Sequence, residues 1–388
     1  MKKLLPQEGL SRRRFFKSLA VLGLSVPAAH AMFDLKWLTE PHANELWFSA
    51  QGRKTGQFSL GSINPSQQSS NQTLANFRGH GLCQNPINQQ QVVMLARRPG
   101  TLAIVVNVIS GEVEKSFHCA PNRNMQGHAV FSGDGKFIFN AEADSITGEG
   151  KITVRESTNF KLVNEFNSHG IGPHELAFMP DDSTLVVANG GLLTRPTTGR
   201  TVHNYPAMRS TLAYINSKNG QLLSEHTVAA SKASIRHLDV AADGTVAIAM
   251  QVQRDAMNNN QLVSLAGIHK PGKEIQTLSA PEPLMIKLND YMGSVKINQQ
   301  HRVAAFSSPR GDMAMFWHLD TLELLAHHEF HDVCGLSISL DKKYFVLSNS
   351  AGKIRQIDAS TLKENKRKRL NFPDKHWDNH LLTVSLPS

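Results

Sequence analysis

Apolar residues along the chain come in short runs, broken every few positions by Gly, Asn, Asp or Pro, and not at the three-and-four spacing of an amphipathic helix. Residues 168–191 show the unit most plainly. A polar stretch rich in Gly and His (168–175) leads into an apolar run (176–179). A Pro-Asp-Asp-Ser turn (180–183), a second apolar run (184–188) and an Asn-Gly-Gly loop (189–191) follow. The pattern predicts strand, tight hairpin, strand. The same order recurs behind His128, His237, Ser294 and Asp332, and Asp-Gly pairs at 134–135 and 243–244 supply the positive-φ positions that tight turns need.

Each unit is headed by a polar residue: His80, His128, His174, His237, Ser294, Asp332 and His380. Successive heads are 48, 46, 63, 57, 38 and 48 residues apart, the period of four-stranded propeller blades with two longer members. Seven heads predict seven blades. Only one apolar strand follows His380, and the strands missing from that last blade are available at 45–49, 56–60 and 72–75. The expected fold class is all-β: a seven-bladed β-propeller closed by pairing of N- and C-terminal strands, which removes the open sheet edges.

This topology sorts the polar residues. The first strand of each propeller blade lines the central channel, so the strand heads gather at one mouth, together with the loops joining second to third strands. The Asp-Gly turns fall on the opposite face and read as structural. His80, His128, His174, His237, Asp332 and His380 are therefore expected around one axis. They form a donor set for a transition metal, iron, copper, nickel or zinc, with neutral imidazole as the main ligand. Arg78 and Arg236 beside two of the heads, with Arg195 and Arg310 on mouth loops, are candidates for holding a carboxylate or phosphate. His169 shares a Gly-rich turn with His174 and is expected near the same centre. Glu175, Asp239 and Cys334 are expected behind the ligands, orienting ring nitrogens or filling space. The longest mouth loop, residues 190–210, predicts a cover. A structural reading of the same ring also holds, because polar residues in propeller channels bond to one another and to water.

Targeting and charge change the picture next. Arg12, Arg13 and Arg14 precede an apolar run at 19–27, too short to span a bilayer, and Ala29 and Ala31 form a small-x-small cleavage site. The expected organisation is a twin-arginine signal peptide, 1–31, followed by one propeller domain, 32–388, in the periplasm. Loss of the signal removes six Lys/Arg and one Glu, so the net charge falls from +9 to +4. The remaining basic cluster, 363–369, lacks aromatic interleaving or a nucleic-acid module and reads as a solvated loop between blades. No later stretch is apolar enough to cross a membrane as a helix. Cys83, Cys119 and Cys334 are too few for a disulfide framework, although an oxidising compartment permits a Cys83–Cys119 bridge. The chain has no coherent zinc-protease, nucleophile-elbow, P-loop or dinucleotide motif.

Taken together, Gly127-His-Ala-Val-Phe-Ser132, Ser168-His-Gly-Ile-Gly-Pro-His-Glu175, Ser234-Ile-Arg-His237, Val333-Cys-Gly335 and Trp377-Asp-Asn-His-Leu381 resemble the domain-of-unknown-function 1513 family. The resemblance extends over nearly the whole mature chain. It implies a twin-arginine-exported bacterial propeller working around iron in the periplasm, with imelysin-like or haem-containing iron-uptake proteins as partners. It implies no reaction. The chain departs from the family pattern at 122–126, where an aromatic segment is usual, and at Thr194-Arg-Pro196, where the family tends to Thr-His-Pro. The expected function is transition-metal binding, iron first, at a histidine-lined channel mouth, accessory to iron uptake or sensing. Two alternatives stand beside it. One is a metal-dependent periplasmic hydrolase or oxidoreductase with Asp332 or Glu175 as base; the other is a protein–protein scaffold with a structural polar channel.

Overall fold

The computed structural model describes residues 44–386 except 53–56, 200, 229–231 and 258–259. The twin-arginine segment and its cleavage site lie outside the described residues. Within them the chain forms seven four-stranded antiparallel sheets, six of which run in chain order from an inner to an outer strand. The inner strands are Gly79–Gln84, Arg123–Phe131, Pro173–Phe178, Ala233–Val240, Ser294–Asn298, Val333–Ile338 and Leu382–Ser385. Each contacts the next, and the last contacts the first, so they close a ring about one axis. They head blades 1 to 7 in that order.

Blade 7 takes its inner strand from the C-terminus and its other three, Glu45–Gly52, Phe58–Asn64 and Ser69–Ala75, from the N-terminal side. Leu46 pairs with Val384 and Phe48 with Leu382. The seven-bladed propeller and its closure are as the spacing predicted.

The middle strands explain why the apolar runs are nearly continuous. In Gln91–Ala96 of blade 1, Val92, Val93, Met94 and Leu95 are all fully buried. Successive side chains point to opposite faces of a strand. Val93 and Leu95 pack with Phe131 and Ile138 of blade 2, whereas Val92 and Met94 pack with Phe48 and Ala50 of blade 7. A blade sandwiched on both faces thus reads as hydrophobic without alternation.

The first-to-second-strand turn of blade 2 is braced by its own aspartate. In blade 2, Asp134 Oδ1 accepts from the Ser132 hydroxyl at 2.7 Å and from the Lys136 N–H at 3.1 Å. Two expectations need correcting. The basic cluster lies within blade 6, between its third strand Lys353–Asp358 and its fourth, Leu370–Asn371, where Arg369 Nε donates to Glu364 at 2.6 Å. All three thiols are unbridged; Cys83 lies inside the apolar layer between blades 1 and 2, and Cys119 packs against it. Among the described residues no helix is long and apolar enough to cross a membrane.

Candidate metal centre

The backbone register shows how the inner strands present their histidines. In blade 1, Gly79 pairs with Ala96 and Leu82 with Met94, so His80 and Gly81 together oppose one residue. In blade 3, Pro173 pairs with Asn189 and Leu176 with Val187, which places His174 and Glu175 in the same two-against-one bulge. Blade 4 has its extra residue at Arg236, directly before His237. In blade 2 residues 126–128, ending in His128, oppose a single partner. Blade 5, headed by Ser294, pairs without a shift. A bulge bends the strand and re-aims side chains, and here it falls at, or directly before, each histidine carried within an inner strand.

Two glycines make the close approach possible. A Cβ on Gly81 would lie 2.3 Å from the Gly127 carbonyl oxygen and 2.8 Å from His128 Nδ1. A Cβ on Gly127 would lie 2.6 Å from His80 Cδ2, and this residue has φ +107°, which disfavours any side chain.

His80, His128, His174, His237 and His380, drawn from five blades, meet in one cluster. Ring centroids are 4.6 Å apart for His80–His380, His128–His380 and His237–His380, and 4.8–4.9 Å for His174–His237 and His128–His174. The widest of the measured contacts, His80–His237, is 6.0 Å. Three overlapping donor groups arise: His80, His128 and His380; His80, His174 and His237; and His128, Glu175 and His237. The ligand atoms of each group lie within 4.8 Å of one another.

The hydrogen-bond inventory of the cluster is incomplete without a further partner. His80 Nδ1, His128 Nε2, His174 Nδ1 and His380 Nε2 are sealed from solvent and bonded to nothing, an unusual concentration of orphaned groups in one place. His80 Nε2 and His174 Nε2 face each other at 3.3 Å. That is long for an N–H···N bond, and nitrogens on one tetrahedral ion with bonds of about 2.0–2.1 Å lie about 3.4 Å apart.

Burial drives the imidazole pKa values of all five histidines well below the ordinary histidine value. The cationic Arg97 and Arg236 reinforce the effect at His80 and His174 respectively. The rings are therefore neutral at neutral pH, the state in which imidazole offers a lone pair to a metal.

Glu175 orients one of them and lies beside a second. Its Oε2 lies 3.1 Å from His237 Nδ1 and accepts the Leu238 N–H at 3.0 Å, while Oε1 lies 3.5 Å from His128 Nδ1. Since a carboxylate only accepts, His237 carries its proton on Nδ1 and keeps the Nε2 lone pair for a ligand.

On one side the cluster opens to a cavity of about 660 Å³ at the channel mouth, whose floor includes His80 and His174. On the other lies a cavity of about 60 Å³ bounded by His128, Glu175, Lys296 and His380. The expected loops surround the large cavity: Leu192, Val202 and Tyr205 of the covering loop, Gln251 and Gln253 of blade 4, and Arg310 of blade 5.

Several expected residues sit elsewhere. Asp332 is not among the clustered ligand atoms: its backbone has φ 45°, its N–H donates to Asp312 at 2.6 Å, and its carboxylate accepts the Ser350 hydroxyl while lining the mouth cavity. Register gives the reason. Val333 pairs with Asn349 and Leu336 with Leu347, so Cys334 holds the place that His80 and His174 hold in their blades. Cys334 is buried, its Sγ 3.4 Å from the Trp377 carbonyl, and burial raises its thiol well above the usual range. His169 is turned outward, its Nε2 2.9 Å from the Gly220 carbonyl. Arg195 is exposed and does not line the cavity. Asp239 orients no imidazole; it takes Lys296 Nζ at 2.9 Å and the Ile297 N–H at 2.7 Å. Burial works against the Lys296 ammonium, but Asp239 and Glu175 outweigh it and hold its pKa above the ordinary lysine value.

Arg78, Arg236 and Arg310 do line the mouth cavity, as do Arg97 and Arg98, which the sequence reading missed. Also missed were Tyr291, whose hydroxyl accepts from Asn379 Nδ2 at 2.6 Å, and Asp378, which holds both Arg78 and Arg97.

A family profile described as "Protein of unknown function (DUF1513)" matches residues 73–384. The chain belongs to this family. That span runs from the outer strand of blade 7 to its inner strand and contains all five clustered histidines. No curated protein matches the sequence. Among solved structures, hydrazine synthase of Kuenenia stuttgartiensis superposes with a TM-score of 0.58 at 14% identity, covering 76% of this chain and 88% of that one. At that identity the likeness is one of fold.

Proposed function

We propose that this DUF1513 protein binds a transition metal, iron in the first place, on the imidazole cluster at its channel mouth, and that it serves iron uptake or sensing in the periplasm. The observation that carries the reading is the convergence of imidazoles from five blades, with His80 Nε2 and His174 Nε2 3.3 Å apart. Nitrogen donors suit iron, copper, nickel and zinc and not calcium or magnesium. Arg12 and Arg13 at the N-terminus support export, and the family's association with iron-uptake proteins supports the setting. His80, His174 and His237 would hold the ion on the side of the large cavity, with Glu175 fixing the His237 tautomer.

Elemental analysis of protein purified from the periplasmic fraction tests this. The wild type is expected to carry a first-row transition metal near one equivalent per chain, and the His128→Ala/His174→Ala double variant to carry almost none. A metal-free wild type, or equal metal in both, would remove the reading.

A further inference from the structure

The large cavity has a chemistry of its own. Its wall carries five arginines, Arg78, Arg97, Arg98, Arg236 and Arg310, against two aspartates, Asp332 and Asp378, which leaves a net excess of three positive charges. The arginines come from three blades: the first three from blade 1, Arg236 from the inner strand of blade 4, and Arg310 from the mouth loop of blade 5. Several are held in place. Buried Asp378 takes Arg78 Nε at 2.9 Å and Arg97 Nη1 at 3.0 Å. The Arg310 guanidinium lies 5.1 Å from the centroid of the Tyr291 ring. One carboxylate between two guanidinium groups leaves a charge uncompensated, and Arg310 is stacked on an aromatic face with no ion pair among the described residues. Guanidinium groups in fixed positions match planar oxyanions with two parallel N–H donors. A volume of about 660 Å³ suits an organic molecule and far exceeds a single inorganic ion.

We propose that the mouth cavity is the binding site of a small organic or condensed polyanion carrying two or more carboxylate or phosphate groups, clamped by arginines of blades 1, 4 and 5. The site stands on the cavity wall alone and does not need a metal below it. If the imidazoles hold a cation, the same wall acquires a second reason for an anion, because the net positive charge of the wall repels a metal ion below it unless further negative charge lies between them.

Isothermal titration calorimetry on the full mature chain separates the outcomes, with the metal content measured before and after. Citrate and pyrophosphate are the probes for carboxylate and phosphate ligands, and acetate is the single-charge control. At least one of the two polyanions is expected to saturate at one site, to weaken as NaCl is raised, and to bind far more tightly than acetate. Arg310→Gln is expected to weaken it about ten-fold or more, and Arg195→Gln, which alters an exposed arginine outside the cavity, to leave it unchanged. Absence of saturable binding by both polyanions overturns the proposal. So does binding indifferent to Arg310→Gln, including heat that only accompanies loss of metal from the imidazoles. A metal-free protein that still binds citrate in this way would remove the metal reading and leave the anion site standing.

Discussion

Glu175 and His237 stand on neighbouring inner strands with Oε2 and Nδ1 3.1 Å apart, and the same carboxylate oxygen takes the Leu238 N–H. One side chain thus ties blade 3 to blade 4 and fixes a tautomer. Glu175→Gln preserves the size and an accepting oxygen but removes the charge. Metal affinity is expected to fall about 10–100-fold with the thermal unfolding midpoint little altered. Competition titration with a chromophoric chelator, beside a circular-dichroism melt, checks both.

Gly127 approaches His80 where no side chain fits. Gly127→Ala is expected to destabilise the fold by about 1–3 kcal/mol through its positive φ and also to displace the His80 ring, so that metal content drops although every ligand remains. Gly272→Ala isolates the backbone effect, since its φ is +71° and nothing lies within 4 Å of an added Cβ. It should lower stability and leave metal binding intact. Equal metal content in the two variants would contradict the contact assigned to Gly127.

The neutral histidines set the direction of the pH response. Their folded pKa values lie well below those of the unfolded chain, near 6.5, so at mildly acidic pH the unfolded state binds more protons than the folded one. Stability is full above about pH 6.5 and is lost as pH falls below it. Each such group contributes a slope of about 1.4 kcal/mol per pH unit. Urea unfolding of metal-stripped protein between pH 8 and 5 should show a steep acid-side decline that is shallower in His128→Asn/His174→Asn. A flat profile would mean that the rings are not buried neutral.

Ring closure rests on the last strand. Deleting residues 381–388 removes Leu381 and Val384, both buried, and leaves blade 7 with three strands. Two buried aliphatic side chains at about 2 kcal/mol each imply a loss of at least about 4 kcal/mol. The truncated protein should melt far below the parent or fail to accumulate in folded form, as differential scanning calorimetry would show.

Blade number, closure and the meeting of His80, His128, His174, His237 and His380 were legible in the sequence, because the repeat spacing fixes which residues open an inner strand and the propeller brings those openings to one axis. Asp332 was misplaced by two residues for a reason the spacing does not reveal. The bulge in blade 6 falls at Cys334, and Asp332 turns back on Ser350. Bulges depend on cross-strand register, which a single sequence does not display. His169 failed because it lies in Leu162–Ile171, the outer strand of blade 2, whereas His174 opens the inner strand of blade 3. Arg97 and Arg98 were within reach, since they directly follow the second strand of blade 1, where the topology already assigned loops to the mouth. Asp378 and Tyr291 were not, because their importance lies in contacts with arginines distant in the chain.

The most direct test of the central claim is anomalous scattering from crystals of protein purified without chelators, with data collected on both sides of the iron K edge. A peak is expected among His80, His174 and His237, bonded to His80 Nε2 and His174 Nε2, that vanishes below the edge. Crystals in which those nitrogens surround only water, or in which the metal lies away from the cluster, would contradict it.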